Sequence, residues 1–112
     1  MALNKRAFLQ QGNTIVISAA VSAPAGIQAV LSTNEFDRGG QVRVHNAGPS
    51  TAFIGNGKDA GTAQTNAALP PGPSMAMVAG AIEVWTVNPG FFWSASTSSG
   101  TATVYITPGE GL

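Results

Sequence analysis

Thr101-Ala102-Thr103-Val104-Tyr105-Ile106-Thr107 sets apolar residues alternately with hydroxyl-bearing ones. In an extended chain successive side chains point to opposite faces, so Ala102, Val104 and Ile106 share one side. Thr101, Thr103, Tyr105 and Thr107 share the other, and the segment reads as a strand with one buried face. The same rhythm runs through 41–46, where Val42 and Val44 alternate with Arg43 and His45. In 82–88, Ile82, Val84 and Thr86 oppose Glu83, Trp85 and Val87. Both sides are partly apolar there, so one face meets the core and the other a partner or a second layer.

Working outward, the spans 14–23, 27–33, 41–46, 52–56, 74–79, 82–88, 91–96 and 101–107 read as eight strands. They are rich in Val, Ile, Thr and aromatic residues, which suit a pleated, half-buried surface. Fourteen glycines and seven prolines divide them, the spacing of a sandwich or barrel. Asp37-Arg38-Gly39-Gly40 has the residues of a hairpin turn. Asn46-Ala47-Gly48-Pro49 is expected to end a strand and reverse the chain, and Asn88-Pro89-Gly90 to make another tight turn. Leu69-Pro70-Pro71-Gly72-Pro73 cannot donate ladder hydrogen bonds and reads as a surface connection. Thr107-Pro108-Gly109-Glu110-Gly111 is expected to close the last strand and begin a tail. Only 1–11 is helix-compatible, and it lacks a cap. The expectation is an extended N-terminal arm over 1–12 and one β-sandwich domain over 13–112, with 55–69 as a long loop.

A chain of 112 residues has room for one domain. Charged residues make up 9% of it, against about 25% in an ordinary soluble domain. Lys5, Arg6, Arg38, Arg43 and Lys58 balance Glu35, Asp37, Asp59, Glu83 and Glu110. A neutral, charge-poor surface lacks the clustered cations that nucleic acid binding needs, and nothing in its net charge keeps copies apart. There is no cysteine, which removes disulfides, thiolate metal sites and a cysteine nucleophile. No signal peptide or membrane span is evident, so a soluble protein made in a cytoplasm is expected.

Routes to chemistry are few. His45 is the only histidine, without the partners a zinc site requires, and reads as a strand-surface residue making an ordinary hydrogen bond. A Ser-His-Asp triad would need His45 with Asp37 or Asp59, but no G-x-S-x-G elbow occurs. The five acids are too scattered to suggest a glycosidase pair. Gly55-Asn56-Gly57-Lys58-Asp59-Ala60-Gly61 departs from a phosphate loop: Asp59 stands where Ser or Thr should bind magnesium, and Ala52 where the first glycine belongs. No following helix is expected there. No catalytic residue, cofactor site or metal site is assigned, and the chain reads as a non-enzyme. Trp85, Trp93, Phe91, Phe92 and Tyr105 could stack sugars or bases, though aromatics at strand spacing more often fill cores or interfaces. In Phe91-Phe92-Trp93, neighbours face opposite ways, so at least one ring lies outside the core its neighbour joins.

The order Val42-Arg43-Val44-His45-Asn46-Ala47-Gly48, Ala52-Phe53-Ile54-Gly55-Asn56-Gly57, Leu69-Pro70-Pro71-Gly72, Val84-Trp85-Thr86 and Gly100 through Gly111 resembles small head decoration (cement) proteins of tailed bacteriophages. The resemblance covers 41–112 and rests on strand and turn patterns. It implies a jelly-roll-like β-sandwich on the outer surface of the virion, bound as a homodimer or trimer across joints between major capsid subunits. There it would stabilise the expanded head, with no nucleic acid or membrane partner. The expected capsid or subunit contacts are Leu3, Lys5, Arg6, Phe8 and Leu9 in the arm, with Asn56, Lys58, Phe92 and Trp93. The rival reading is a carbohydrate-binding or adhesin-like module using Trp85, Trp93 or Tyr105.

Overall fold

A computed structural model describes residues 9–10, 12–30, 40–70, 72–87 and 90–110. Among the described residues there are nine strands and one short helix: β1 (Leu9–Gln10), β2 (Ile15–Ala19), β3 (Ile27–Gln28), β4 (Gln41–Pro49), β5 (Ala52–Gly57), α1 (Ala60–Asn66), β6 (Met75–Met77), β7 (Ile82–Thr86), β8 (Phe92–Ser96) and β9 (Ala102–Glu110). β1 pairs with Gly109 and Glu110, and β2 with Ala102 through Ile106. Both lie along the same edge of β9, whose other edge pairs with β4. They fill one strand position broken in two, so the nine segments occupy eight positions.

With positions numbered along the chain, one sheet reads 1-8-3-6 and the other 2-7-4-5. The first, sheet 1, is β1/β2-β9-β4-β7; the second, sheet 2, is β3-β8-β5-β6. Position 1 pairs with 8, 2 with 7, 3 with 6 and 4 with 5, and every ladder is antiparallel. This is a long hairpin folded over itself into two packed sheets, the jelly-roll form of an all-β sandwich.

Alternation decides which face is buried. β4 alternates strictly, with Val42 and Val44 inward and Arg43 outward. Ile17, Ala19, Val104 and Ile106 join them from sheet 1, facing Ala52, Ile54, Met77, Trp93 and Ala95 of sheet 2. Trp85 packs on this core from β7, its ring centroid 6.0 Å from that of Trp93. The Trp93 indole N–H is buried without an acceptor among the described residues.

Three sequence expectations need correction. β4 does not stop at Asn46 but runs to Pro49, through a register shift that leaves Ala47 unpaired. The fully buried Asn46 holds the bend: its Nδ2 donates to the carbonyls of Ser50 (3.0 Å) and Met77 (2.8 Å), and its Oδ1 accepts from Gly48 N–H (2.8 Å). Gly48 has φ +86°, a conformation open to glycine at little cost. The last strand continues through Pro108 to Glu110 rather than ending in a tail, because β1 and β4 pair with its far end. Neither β1 nor β2 pairs with Thr107 or Pro108, so the break in the edge strand falls opposite the residue that cannot donate. β1 also places residues 9–10, assigned to the arm, within sheet 1.

The third correction is α1, within the span expected to be a loop. Asp59 caps it, accepting from the Thr62 N–H at 2.7 Å as N-cap residues do. Seven residues with Gly61 and two threonines would be marginal as an isolated helix. Packing against the outer face of sheet 2 supplies the rest. Ala63 and Ala67 are buried, and a Cβ on Gly55 or Gly57 would overlap helix atoms. Ser96 Oγ donates to the Ala67 carbonyl at 2.6 Å, and Asn66 Nδ2 to the Asn56 carbonyl at 2.9 Å.

Candidate functional site

The register gathers sequence-distant residues at one end of the sandwich. In sheet 1 this end carries Leu9 and Gln10 opposite Glu110 and Gly109, with Gln41 between Gly109 and Thr86. Val87 N–H then donates to the Gly40 carbonyl at 2.7 Å. In sheet 2, Gln28 pairs with Phe92, Phe92 with Gly57, and Asn56 with Trp93. Gln28 Nε2 donates to the Gly90 carbonyl at 2.9 Å, just ahead of β8. Lys58 follows directly and is exposed.

Of the expected contact residues, Asn56, Lys58 and Phe92 therefore lie at this end, as does the backbone of Leu9, with Asn56 on Trp93's side of sheet 2 and Phe92 on the opposite side. Leu3, Lys5, Arg6 and Phe8 lie outside the described residues, as does the Leu9 side chain. Trp93 does not reach the surface: it is 1% exposed and belongs to the core. Its inward direction follows from sharing a face with Ala95, which pairs with Ile54. Phe92, one residue earlier, points outward and is half-buried. Of the three aromatics considered for sugar stacking, Trp93 and Trp85 face inward, while Tyr105 stands on the open face of sheet 1.

The phosphate-loop comparison also changes. A helix does follow the glycine-rich stretch, but its first turn is taken by Asp59, whose backbone carbonyl also accepts from Ala63 N–H at 3.0 Å. The backbone N–H of Thr62 is the main cause holding the Asp59 carboxyl below its ordinary range, helped by the Thr62 side chain and by Lys58. A carboxylate in that position repels an anion. The glycines admit the helix to the sheet rather than cradling a ligand.

Sequence reasoning did not assign the outer face of sheet 1, which α1 leaves uncovered. Val16, Tyr105, His45 and Ile82 line up across four strands, and Thr107, Arg43 and Val84 form the next row. Ile82 is 58% exposed and Val84 41%. The signal was present in the apolar residues on both sides of β7. Between these rows lies an open cleft of about 430 Å³, lined by Thr14, Arg43, His45, Ile82, Tyr105 and Thr107. Among the described residues no three His, Asp or Glu side chains gather as metal ligands would. No described helix is long and apolar enough to cross a membrane. The chain matches no protein-family model, no curated protein and no solved structure.

Proposed function

We propose that this chain is a non-enzymatic structural protein that attaches to the outside of a larger protein assembly through the end of the sandwich carrying Leu9, Asn56, Lys58 and Phe92. The assembly proposed is the head of a tailed bacteriophage, bound across joints between major capsid subunits, with the protein acting there as a homodimer or trimer. The observation that carries this reading is that these residues, from three stretches distant in sequence, lie at that one end. The sequence resemblance supplies the identity of the partner. A specific interface buries about 800 Å² on each side, and residues 1–8, which precede Leu9 in sequence, would add to what the end itself offers. Binding the expanded shell better than the unexpanded one stabilises the expanded state by linkage.

The test is co-sedimentation with expanded and unexpanded shells assembled from the major capsid protein of the same genome. Tighter binding to the expanded shell is expected, weakened about tenfold by Lys58→Glu with an unchanged melting curve. Affinity for neither shell overturns the proposal.

A further inference from the structure

β7 is an edge of sheet 1, and β4 is its only ladder partner among the described residues. Val87 N–H donates to the Gly40 carbonyl, and the Ala81 carbonyl accepts from Asn46 N–H. Backbone groups alternate in direction along an antiparallel strand, so Ala81, Glu83, Trp85 and Val87 turn theirs to β4. Those of Ile82, Val84 and Thr86 point to the outer edge. The side chains of Ile82, Glu83, Val84 and Thr86 are exposed as well. Other edges offer less. β1 and β3 have two residues and β6 three, while β2, with five, leads into a bridge to β8 between Ala20 and Ser96.

Sheet edges are commonly guarded by Lys, Pro, a bulge or an inward-pointing charge. Ile82-Glu83-Val84-Trp85-Thr86 contains no Lys or Pro, and the β4–β7 register runs without a shift. Glu83 is its one charge, and that carboxylate accepts from Trp85 Nε1 at 2.7 Å, along its own strand rather than across the edge. We propose that β7 pairs with β7 of a second copy, antiparallel and two-fold about Val84, joining two copies of sheet 1 into one continuous sheet. In that register Val84 exchanges both its hydrogen bonds with Val84 of the second copy, and Ile82 does so with Thr86. Glu83 faces Trp85, so no like charges stand directly opposite. A two-fold contact must be self-complementary, and this segment is. A chain of zero net charge adds no long-range repulsion between copies. Residues 78–81 join β6 to β7, which places the exposed Met75 and Val78 on the same side of the sandwich. The five residues of β7 span about 17 Å, a contact at the small end of interfaces. The expected dissociation constant is therefore about 10–100 μM. This dimer does not rest on the capsid reading. Its paired strands run in opposite directions, so one attachment end meets a shell while the other points away from it.

The experiment is analytical ultracentrifugation of the full chain from about 1 μM to about 1 mM, a range that brackets that constant, with amide hydrogen exchange at both extremes. A monomer–dimer equilibrium is expected. At the high concentration the Ile82, Val84 and Thr86 amides should exchange about tenfold more slowly than at the low one. Val84→Lys places two cations opposite each other at the axis and should weaken the dimer about tenfold. Val16→Lys, on the same face of sheet 1 but at its far edge, should leave the dimer unchanged. The thermal melt of each variant confirms that it is folded. A chain that stays monomeric throughout, a trimer, slowing confined to other amides, a dimer that survives Val84→Lys, or equal loss of the dimer in both variants overturns the proposal.

Discussion

Gly55→Ala sets two physical arguments against each other. Gly55 lies inside β5 with no positive φ, and there alanine normally improves stability by about 0.5–1 kcal/mol because it has less backbone entropy to lose. Against that, the new methyl would sit 2.6 Å from the Asn66 carbonyl oxygen and closer still to the Asn66 and Ala67 backbone. Backbone cannot swing aside as a long side chain can, so α1 must lift from the sheet. Overpacking of this kind costs about 1–3 kcal/mol. The lift also breaks the Ser96–Ala67 and Asn66–Asn56 hydrogen bonds, each contributing about 1 kcal/mol. The steric and hydrogen-bond losses exceed the entropic gain, leaving a net destabilisation of about 3 kcal/mol. At a urea slope of about 1.5 kcal/mol per molar, the unfolding midpoint drops by about 2 M, and Tm by about 12 °C. Gly61→Ala is the control. Its Cβ meets nothing closer than Asp59 Oδ1 at 3.7 Å, so helix propensity alone should raise stability by up to about 1 kcal/mol. A Gly55→Ala protein as stable as wild type would refute the account of how α1 is seated.

Two further outcomes follow from the polar groups. Asn46→Ala removes three side-chain hydrogen bonds and strands buried backbone groups at Gly48 and Met77; about 3 kcal/mol of stability should be lost, measured by denaturant unfolding, and a loss below about 1 kcal/mol would contradict its role at the bend. The Asp59 carboxyl is held below its ordinary value mainly by Thr62 N–H, so its contribution is present above the unfolded-state value and fades as pH falls through the lowered one. Asp59→Asn keeps a capping oxygen without the charge. Wild type should therefore exceed it at neutral pH, with the gap closing below about pH 4; a gap that does not change with pH would count against the assignment.

The strands were legible because alternation writes burial directly into the sequence, and all eight expected spans contain observed strands. Their ends were less so: β4 runs through Gly48-Pro49 and β9 past Pro108-Gly109 because pairing partners far along the chain hold them. α1 was hidden because its buried anchors are alanines and the surface receiving them is glycine, a contact without a hydrophobic stripe. For Trp93, the sequence held a usable signal. Ser94 and Ser96 flank Ala95, which puts Trp93 on Ala95's apolar side. The serine hydroxyls instead reach the Pro24 and Ala67 carbonyls. The convergence of Leu9, Asn56, Lys58 and Phe92 depends on strand order, which no local pattern encodes.

The pairing of first position with last also governs how the chain acquires its fold. Both neighbours of β4, β7 and β9, are made after it, so Val42 and Val44 have no sheet to join while the chain is still emerging. Such long-range closure places the domain among slow folders, on the millisecond-to-second scale. Until β9 is released, the apolar faces of the earlier strands remain open to other chains, and yield at high expression will depend on how quickly that final strand is delivered.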